Sequence, residues 1–216
     1  MDREAERLEM IREQLERRNI HDPRVLNAMV AVPRHHFVPQ NLHEHAYADN
    51  ALPIAENQTI SQPYIVALTA AALQLQGNER VLEIGTGSGY AAAVLAEIAA
   101  EVWTIERYPS LAQSAAQRLA ELGYSNVHVI IGDGTQGLPE HAPYDAIAGA
   151  AAGPHVPHSL IDQLAPAGRL VIPIGSRDEQ QLLRIVRTTQ GLRDESLGPV
   201  RFVPLVGSQG WQDESK

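Results

Sequence analysis

Three glycines at alternate positions constrain this chain more than any other feature. The segment Val81-Leu-Glu-Ile-Gly-Thr-Gly-Ser-Gly-Tyr90 runs from apolar, β-favouring residues into Gly85, Gly87 and Gly89, and small helix-forming residues follow from Ala91. A strand, a tight turn and a helix N-terminus in succession let backbone N–H groups approach a ligand closely. Glu106 closes the next apolar run, about twenty residues on, where a carboxylate can accept hydrogen bonds from ribose hydroxyls. Together these features predict a nucleoside-containing ligand at the front of an open α/β sheet.

Spacing narrows the choice of ligand. A dinucleotide fingerprint reads G-x-G-x-x-G, whereas Gly85, Gly87 and Gly89 read G-x-G-x-G. The shorter loop suits a cofactor without a pyrophosphate and disfavours a nicotinamide dehydrogenase. The pattern resembles motif I of the S-adenosylmethionine-dependent methyltransferases, with a glycine turn that merely reverses the chain as the alternative.

The rest of the chain alternates strands and helices. Residues 2–18 predict a charged amphipathic helix with Leu8, Ile11 and Leu15 on one face. Asp22 and Pro23 predict a cap and first turn for a helix to about residue 30. Residues 33–59 read as loop and turn, and a helix starts at Ser61-Gln62-Pro63 and ends near Gly77. Strands are then expected at 80–84, 101–106, 126–131, 144–149, 169–173, 181–188 and 200–205, with Gly191 and Gly198 in the turn before the last. Helices are expected at 90–99, 109–122 and 157–164. This order predicts an α/β fold, a doubly wound, mostly parallel seven-stranded sheet of Rossmann-like form with an antiparallel edge. It is read as a single domain: an N-terminal helical lid (1–77), a core (78–206) and a tail (207–216), frayed over 212–216.

Composition excludes several function classes. There is no cysteine, so disulfides and thiol catalysis are ruled out. No window approaches a membrane-spanning length, and the mixed-charge N-terminus lacks the apolar stretch of a secretory signal. A cytoplasmic protein is expected. The net charge of −9 disfavours nucleic-acid binding, which needs a basic surface. Nine histidines, among them His35-His36, His43, His45, His155 and His158, show no zinc-site spacing, so no metal is expected.

Sequence elsewhere identifies one methyltransferase family. Val32-Pro-Arg-His-His-Phe-Val-Pro39, Leu52-Pro-Ile54, Gln58-Thr-Ile-Ser-Gln-Pro-Tyr64, Gly132-Asp-Gly134, Pro143-Tyr-Asp-Ala-Ile147 and Arg201-Phe-Val-Pro-Leu205 occur in order. Over about residues 8–206 the chain closely resembles the protein-L-isoaspartate (D-aspartate) O-methyltransferase family. One departure is visible. Where the family has a glycine-containing run before Gln-Thr-Ile-Ser, this chain has Ala55-Glu56-Asn57. The change predicts a stiffer loop and a negative charge that would oppose a carboxylate substrate unless Glu56 points away.

The resemblance implies methyl transfer from S-adenosyl-L-methionine, leaving S-adenosyl-L-homocysteine, to the free carboxylate of isoaspartyl residues in damaged proteins and peptides. D-Aspartyl residues are a further implied acceptor, and the ester would cyclise to a succinimide. It implies that Gly85, Thr86, Gly87, Ser88 and Gly89 carry the cofactor, with Glu106 on the ribose. Asp133 and Gly134 would meet the adenine, the Asp133 carboxylate accepting from its amine, with Gln58 and Thr59 as neighbours. Ser61 is the implied residue of the substrate pocket. Alternatives remain for single residues: Ser61 as a helix cap, Asp133 as a turn former, Glu106 as a solvated acid. Alternatives for the whole chain are a dedicated aspartate methyltransferase acting on one partner peptide and a non-catalytic adaptor. The working expectation is a monomeric enzyme, independent of nucleic acid and membrane.

Overall fold

The computed structural model of the chain describes residues 3–212. Helix α1 (Glu4–Met10) continues through one wide turn (Ile11–Leu15) and one tight turn (Glu16–Arg18) until Asn19 ends it at φ 64°. Helix α2 (Pro23–Ala31) starts as expected, the Asp22 carboxylate accepting from the Arg24 N–H and proline taking the first turn. Two 3-10 stretches follow, Arg34–Phe37 and Gln40–His45. The turn-rich region holds a small antiparallel ribbon, β1 (Leu52–Pro53) with β2 (Thr59–Ile60), and leads into α3 (Pro63–Leu73).

From there strands and helices alternate: β3 (Arg80–Ile84), α4 (Tyr90–Ala96), β4 (Glu101–Glu106), α5 (Pro109–Glu121), β5 (Val127–Ile131), β6 (Tyr144–Gly149), α6 (His158–Asp162) and β7 (Leu164–Gly175). Two long strands end the sheet, β8 (Gln180–Thr188) and β9 (Gly191–Val200). The order is β5-β4-β3-β6-β7-β8-β9, parallel through β7 and antiparallel in the last two pairings. Chain order reverses between β3 and β6, and ligands of open α/β sheets bind at the carboxyl ends of strands at such a point. Val81, Leu82, Val102, Ala146, Ile147, Leu170, Val171 and Ile172 have no exposed surface, as expected for parallel strands covered on both faces.

The last strand differs from the sequence expectation. It spans Gly191–Val200, not 200–205. Thr188 pairs directly with Gly191 across a tight hairpin, and its hydroxyl donates to the Gly191 carbonyl. Gly198 lies inside the strand at φ 115°, near a register shift opposite residues 181–183. Most of β9 is exposed, so no apolar alternation marks it. Residues 201–205 instead leave the sheet and cross the strand ends, where Ala152 N–H donates to the Val203 carbonyl and Leu205 N–H to the Ala152 carbonyl, both at 2.8 Å.

The N-terminal helices belong to the core. Met10, Leu15, Met29 and Phe37 are at most 1% exposed and share one apolar cluster with α3 and α4. Arg34 is wholly buried there; its Nε donates to the Ala46 carbonyl at 2.7 Å and its guanidinium lies 4.7 Å over the Tyr90 ring.

Candidate functional site

Three strand ends at the reversal form a cleft. β3 delivers Gly85 and Gly87, β4 delivers Glu106 with Arg107 and Tyr108, and β6 delivers Ala150 and Ala151. Gln58 closes one side, Gly134 the floor, and residues 203–206 the other wall, around a space of about 250 Å³. Glu106 is 5% exposed, and its two oxygens take different backbone donors: Gly87 N–H at 2.9 Å and Tyr108 N–H at 3.0 Å. The carboxylate therefore holds the glycine turn in place. Each of its oxygens keeps acceptor capacity for a ligand hydroxyl. Gly87 has φ 53° and its missing Cβ would sit 3.6 Å from Ile54 of the ribbon side. A Cβ on Gly134 would fall 2.5 Å from Ile84, so a side chain there would displace the cleft floor.

Other residues of the motif are spent inside the protein. Thr104 Oγ1 donates to Glu83 Oε2 at 2.6 Å and shares a hydrogen bond of 2.6 Å with the Thr86 hydroxyl, which is 4% exposed. The Thr86 side chain thus faces the core. The Ser88 hydroxyl accepts from Tyr90 N–H at 3.4 Å, and its carbonyl accepts from Arg118 at 2.8 Å. Gly89 caps α4 at φ 90°, and a Cβ there would press on Leu119 of α5 at 3.3 Å. None of these three lines the cleft.

Glu83 carries no feature that separates it from the strand in the sequence. It is completely buried, and burial pushes its carboxyl up to about 8, against the Thr104 hydrogen bond and with help from the Glu106 charge. Its Oε1 has no hydrogen-bond partner among the described residues.

Asp133 borders a depression that shares Arg107, Val206 and Gln212 with the cleft, while its neighbour Gly134 lines the cleft itself. The Asp133 Oδ1 accepts from Thr135 N–H at 2.9 Å and Thr135 Oγ1 at 2.6 Å. Its Oδ2 accepts from Ser208 N–H at 2.8 Å and Gln136 Nε2 at 3.3 Å. Burial would raise this carboxyl, but the Ser208 and Thr135 hydrogen bonds outweigh it and hold the group below its ordinary range. Both Asp133 oxygens thus engage protein donors, Oδ1 those of Thr135 and Oδ2 those of the C-terminal turn and Gln136. Residues 207–211, read as tail in the sequence, pack here: Trp211 Nε1 donates to the Ala152 carbonyl at 3.0 Å and Trp211 N–H to the Leu205 carbonyl at 2.8 Å. The fraying expected for 212–216 concerns residues almost wholly outside the described range.

A second depression opens beside the first, lined by Thr59, Ser61, Gln62, Arg201 and Phe202. Ala150 borders both. Gln62, not Ser61, caps α3, and no side chain makes the cap. Among the described residues nothing hydrogen-bonds the Ser61 hydroxyl, which leaves it available to a ligand. Glu56, the charge introduced by the Ala55-Glu56-Asn57 departure, accepts from the Ser110 hydroxyl at 2.5 Å, at the start of α5. Glu56 does not line Ser61's depression. Arg107, Tyr108, Arg177, Ala150 and Val206 went unremarked as site residues in the sequence, where Phe202 to Leu205 read either as part of a peptide groove or as core; only the chain crossing of 201–206 brings residues 203–206 to the cleft.

The histidines serve locally. His35 Nδ1 lies 2.7 Å from the Tyr47 hydroxyl and its ring 4.5 Å from that of His36, while burial and nearby positive charge lower its pKa to about 4. Among the described residues no three His, Asp or Glu side chains are grouped to hold a metal ion.

Comparison with known proteins agrees with this arrangement. The family model for protein-L-isoaspartate(D-aspartate) O-methyltransferase matches residues 5–210. The protein-L-isoaspartate O-methyltransferase of Roseiflexus castenholzii is 59% identical over 214 residues, 99% of this chain and 98% of that protein. One from Syntrophobacter fumaroxidans is 55% identical over 94% of this chain and 95% of its own. Among solved structures, a protein-L-isoaspartate O-methyltransferase superposes with a TM-score of 0.84 at 28% identity, covering 94% of this chain and 67% of that one. A Plasmodium falciparum homologue solved with S-adenosyl-L-homocysteine superposes with a TM-score of 0.79 at 25% identity, covering 95% and 99%. With the motifs, the sheet and the cleft in agreement, the chain belongs to the protein-L-isoaspartate(D-aspartate) O-methyltransferase family.

Proposed function

We propose that this protein methylates the free carboxylate of isoaspartyl residues in damaged proteins and peptides, using S-adenosylmethionine, and so starts their repair through a succinimide. The observation that carries this reading is the shared border at Ala150 between the Glu106 cleft and the Ser61 depression. One cleft suits the cofactor, the other its acceptor, and they adjoin.

The residues fit the cofactor. Glu106 would accept from the ribose hydroxyls while it keeps Gly87 in place, and the cleft lining at Gly85, Gly87 and Gly134 is bare backbone, where a Cβ on Gly134 would collide with Ile84 at 2.5 Å. Gln58 would close over the cofactor from the ribbon, with Thr59 turned to the acceptor side. Thr86, Ser88 and Gly89 would support the turn from behind. Bound there, S-adenosylmethionine supplies an electrophilic methyl group on a positively charged sulfur.

The acceptor carboxylate, with an ordinary pKa near 4, is already ionised at pH 7 and needs no general base. What remains for the protein is orientation and removal of water. The Ser61 hydroxyl would donate to one carboxylate oxygen and leave the other to approach the methyl carbon. Arg201, lining the same depression, would favour a carboxylate there. Because Glu56 is held at α5, its charge does not oppose that acceptor, so the general repair reading is preferred to a dedicated partner.

Among the described residues no helix is long and apolar enough to cross a membrane. A cytoplasmic monomer that works without nucleic acid fits the absence of cysteine and the charge of −9.

The test is labelled S-adenosylmethionine with an aged, isoaspartate-bearing protein and its fresh counterpart. Base-labile label should enter the aged protein selectively. Equal labelling of both, or base-stable label, would overturn the reading.

A further inference from the structure

We propose that Arg201 sets the enzyme's preference among damaged chains by pairing with an acidic side chain beside the isoaspartyl residue. The favoured acceptors then carry Asp or Glu one or two positions from the altered linkage. This rests on the acceptor reading of the Ser61 depression above. That depression, about 380 Å³, has apolar walls of Ile65, Pro199, Val200 and Val203 and the hydroxyls of Thr59 and Ser61. Arg201 is the only charged residue lining it, in a chain whose net charge is −9. It is exposed, and among the described residues no hydrogen bond or ion pair engages its guanidinium. Asp49 meets the depression through Gln62, whose Nε2 donates to its Oδ1 at 2.8 Å, and its other oxygen accepts from Arg18. No lining carboxylate competes for Arg201.

The arginine projects from a fixed stem. Val200 pairs with Gln180 at the end of β9, and the Gln180 side chain, 5% exposed, clamps the residue after Arg201. Phe202 N–H donates to Gln180 Oε1 at 2.7 Å, and Gln180 Nε2 donates to the Phe202 carbonyl at 3.2 Å. A side chain held at its base gives up less freedom on binding than one on a loose loop. Its charge attracts the acceptor from a distance, but the acceptor carboxylate is a poor partner at close range. A guanidinium takes carboxylates through both oxygens, and one acceptor oxygen must stay free to approach the methyl carbon. Ser61 can serve the other oxygen alone. A neighbouring Asp or Glu has no reaction to perform, so both its oxygens can pair. A rounded space of that volume is roughly 9 Å across, and an extended chain advances about 3.5 Å per residue. The side chain that reaches Arg201 therefore lies one or two positions from the acceptor.

The experiment measures kcat/KM for methyl transfer to isoaspartyl peptides carrying Glu or Gln at each of the two positions on either side. The proteins are the full-length wild type, Arg201→Gln, Arg201→Glu and Arg193→Glu. Arg193 is exposed on β9 and outside the depression, so its variant repeats the change in net charge of Arg201→Glu at a distant place. The readout is the Glu-to-Gln ratio within each enzyme, in which any general loss of activity or stability cancels. In wild type the ratio should reach about three at one or more positions, the scale of an exposed ion pair. It should fall to near one in Arg201→Gln and below one in Arg201→Glu, and Arg193→Glu should keep the wild-type value. If Arg201→Glu has no measurable activity, the Arg201→Gln ratio decides. A wild-type ratio near one at every position, a ratio that persists in the Arg201 variants, or an equal fall in Arg193→Glu would overturn the inference. A wild type that methylates none of the peptides would instead overturn the repair reading beneath.

Discussion

Glu106 and Ser61 divide the proposed chemistry between two neighbouring clefts, and their variants should fail differently. Glu106→Ala removes a ribose acceptor and the clamp on Gly87 N–H. Calorimetric affinity for S-adenosylhomocysteine should fall about ten- to a hundredfold, as expected for lost charge-assisted bonds; unchanged affinity would refute the assignment. Ser61→Ala should lower kcat/KM for the peptide about tenfold or more and keep cofactor affinity within about twofold, since it neither caps α3 nor lines the cofactor cleft. Glu83 supplies a pH test. Its folded pKa, about 8, lies above the ordinary 4.5, so its stabilising share is intact below pH 4.5 and drains away as pH rises towards 8. The slope is about 1.4 kcal/mol per pH unit. Glu83→Gln cannot titrate, so its stability relative to wild type should climb across that window and level off above it. Denaturant titrations at pH 5, 6, 7 and 8 would check this, and a pH-independent difference would contradict it. The glycines and Glu106 were legible because their spacing is a local signature. Glu83 was not, because burial decides its state and only the assembled sheet buries it. The donors to Asp133 were equally invisible, since Ser208 comes from 75 residues away.

Elements with strong periodicity, β3 through β6 with their helices, follow the sequence closely. β9 does not, because an edge strand that buries little shows no alternation, and its charged residues protect the open edge from pairing with another chain. The β1–β2 ribbon also escaped notice, being only two residues on each side. Its turn places Glu56 and Asn57 at φ 57° and 54°, the left-handed conformations that the family's glycines would adopt freely. The Glu56–Ser110 hydrogen bond, at the N-terminus of α5, helps hold that turn beside Gln58. Glu56→Ala should therefore weaken S-adenosylhomocysteine by about two- to fivefold, the scale of an exposed pair, with peptide KM unaffected. A lowered peptide KM would show that the charge opposes the acceptor after all.

At the scale of the whole molecule, the N-terminal region is less a hinged cover than a packed layer. Met10, Leu15, Met29 and Phe37 join the main core, so Met29→Ala should cost about 2–5 kcal/mol in global unfolding. A loss confined to local exchange in residues 3–50 would show that the layer unfolds on its own. The amphipathic pattern of residues 8–15 signalled a buried face, which Ile11 and Leu15 form while Leu8 is 45% exposed, but not that the sheet's helices would provide its partner. The repair assignment depends on one discrimination: the enzyme must recognise a displaced carboxylate in a flexible chain. The direct measurement is steady-state methyl transfer to two synthetic peptides of identical sequence, one with an isoaspartyl and one with an aspartyl linkage. Transfer to the isoaspartyl peptide alone, lost in Ser61→Ala while S-adenosylhomocysteine still binds, is the predicted result. Equal transfer to both peptides, or transfer to the aspartyl peptide alone, would contradict it.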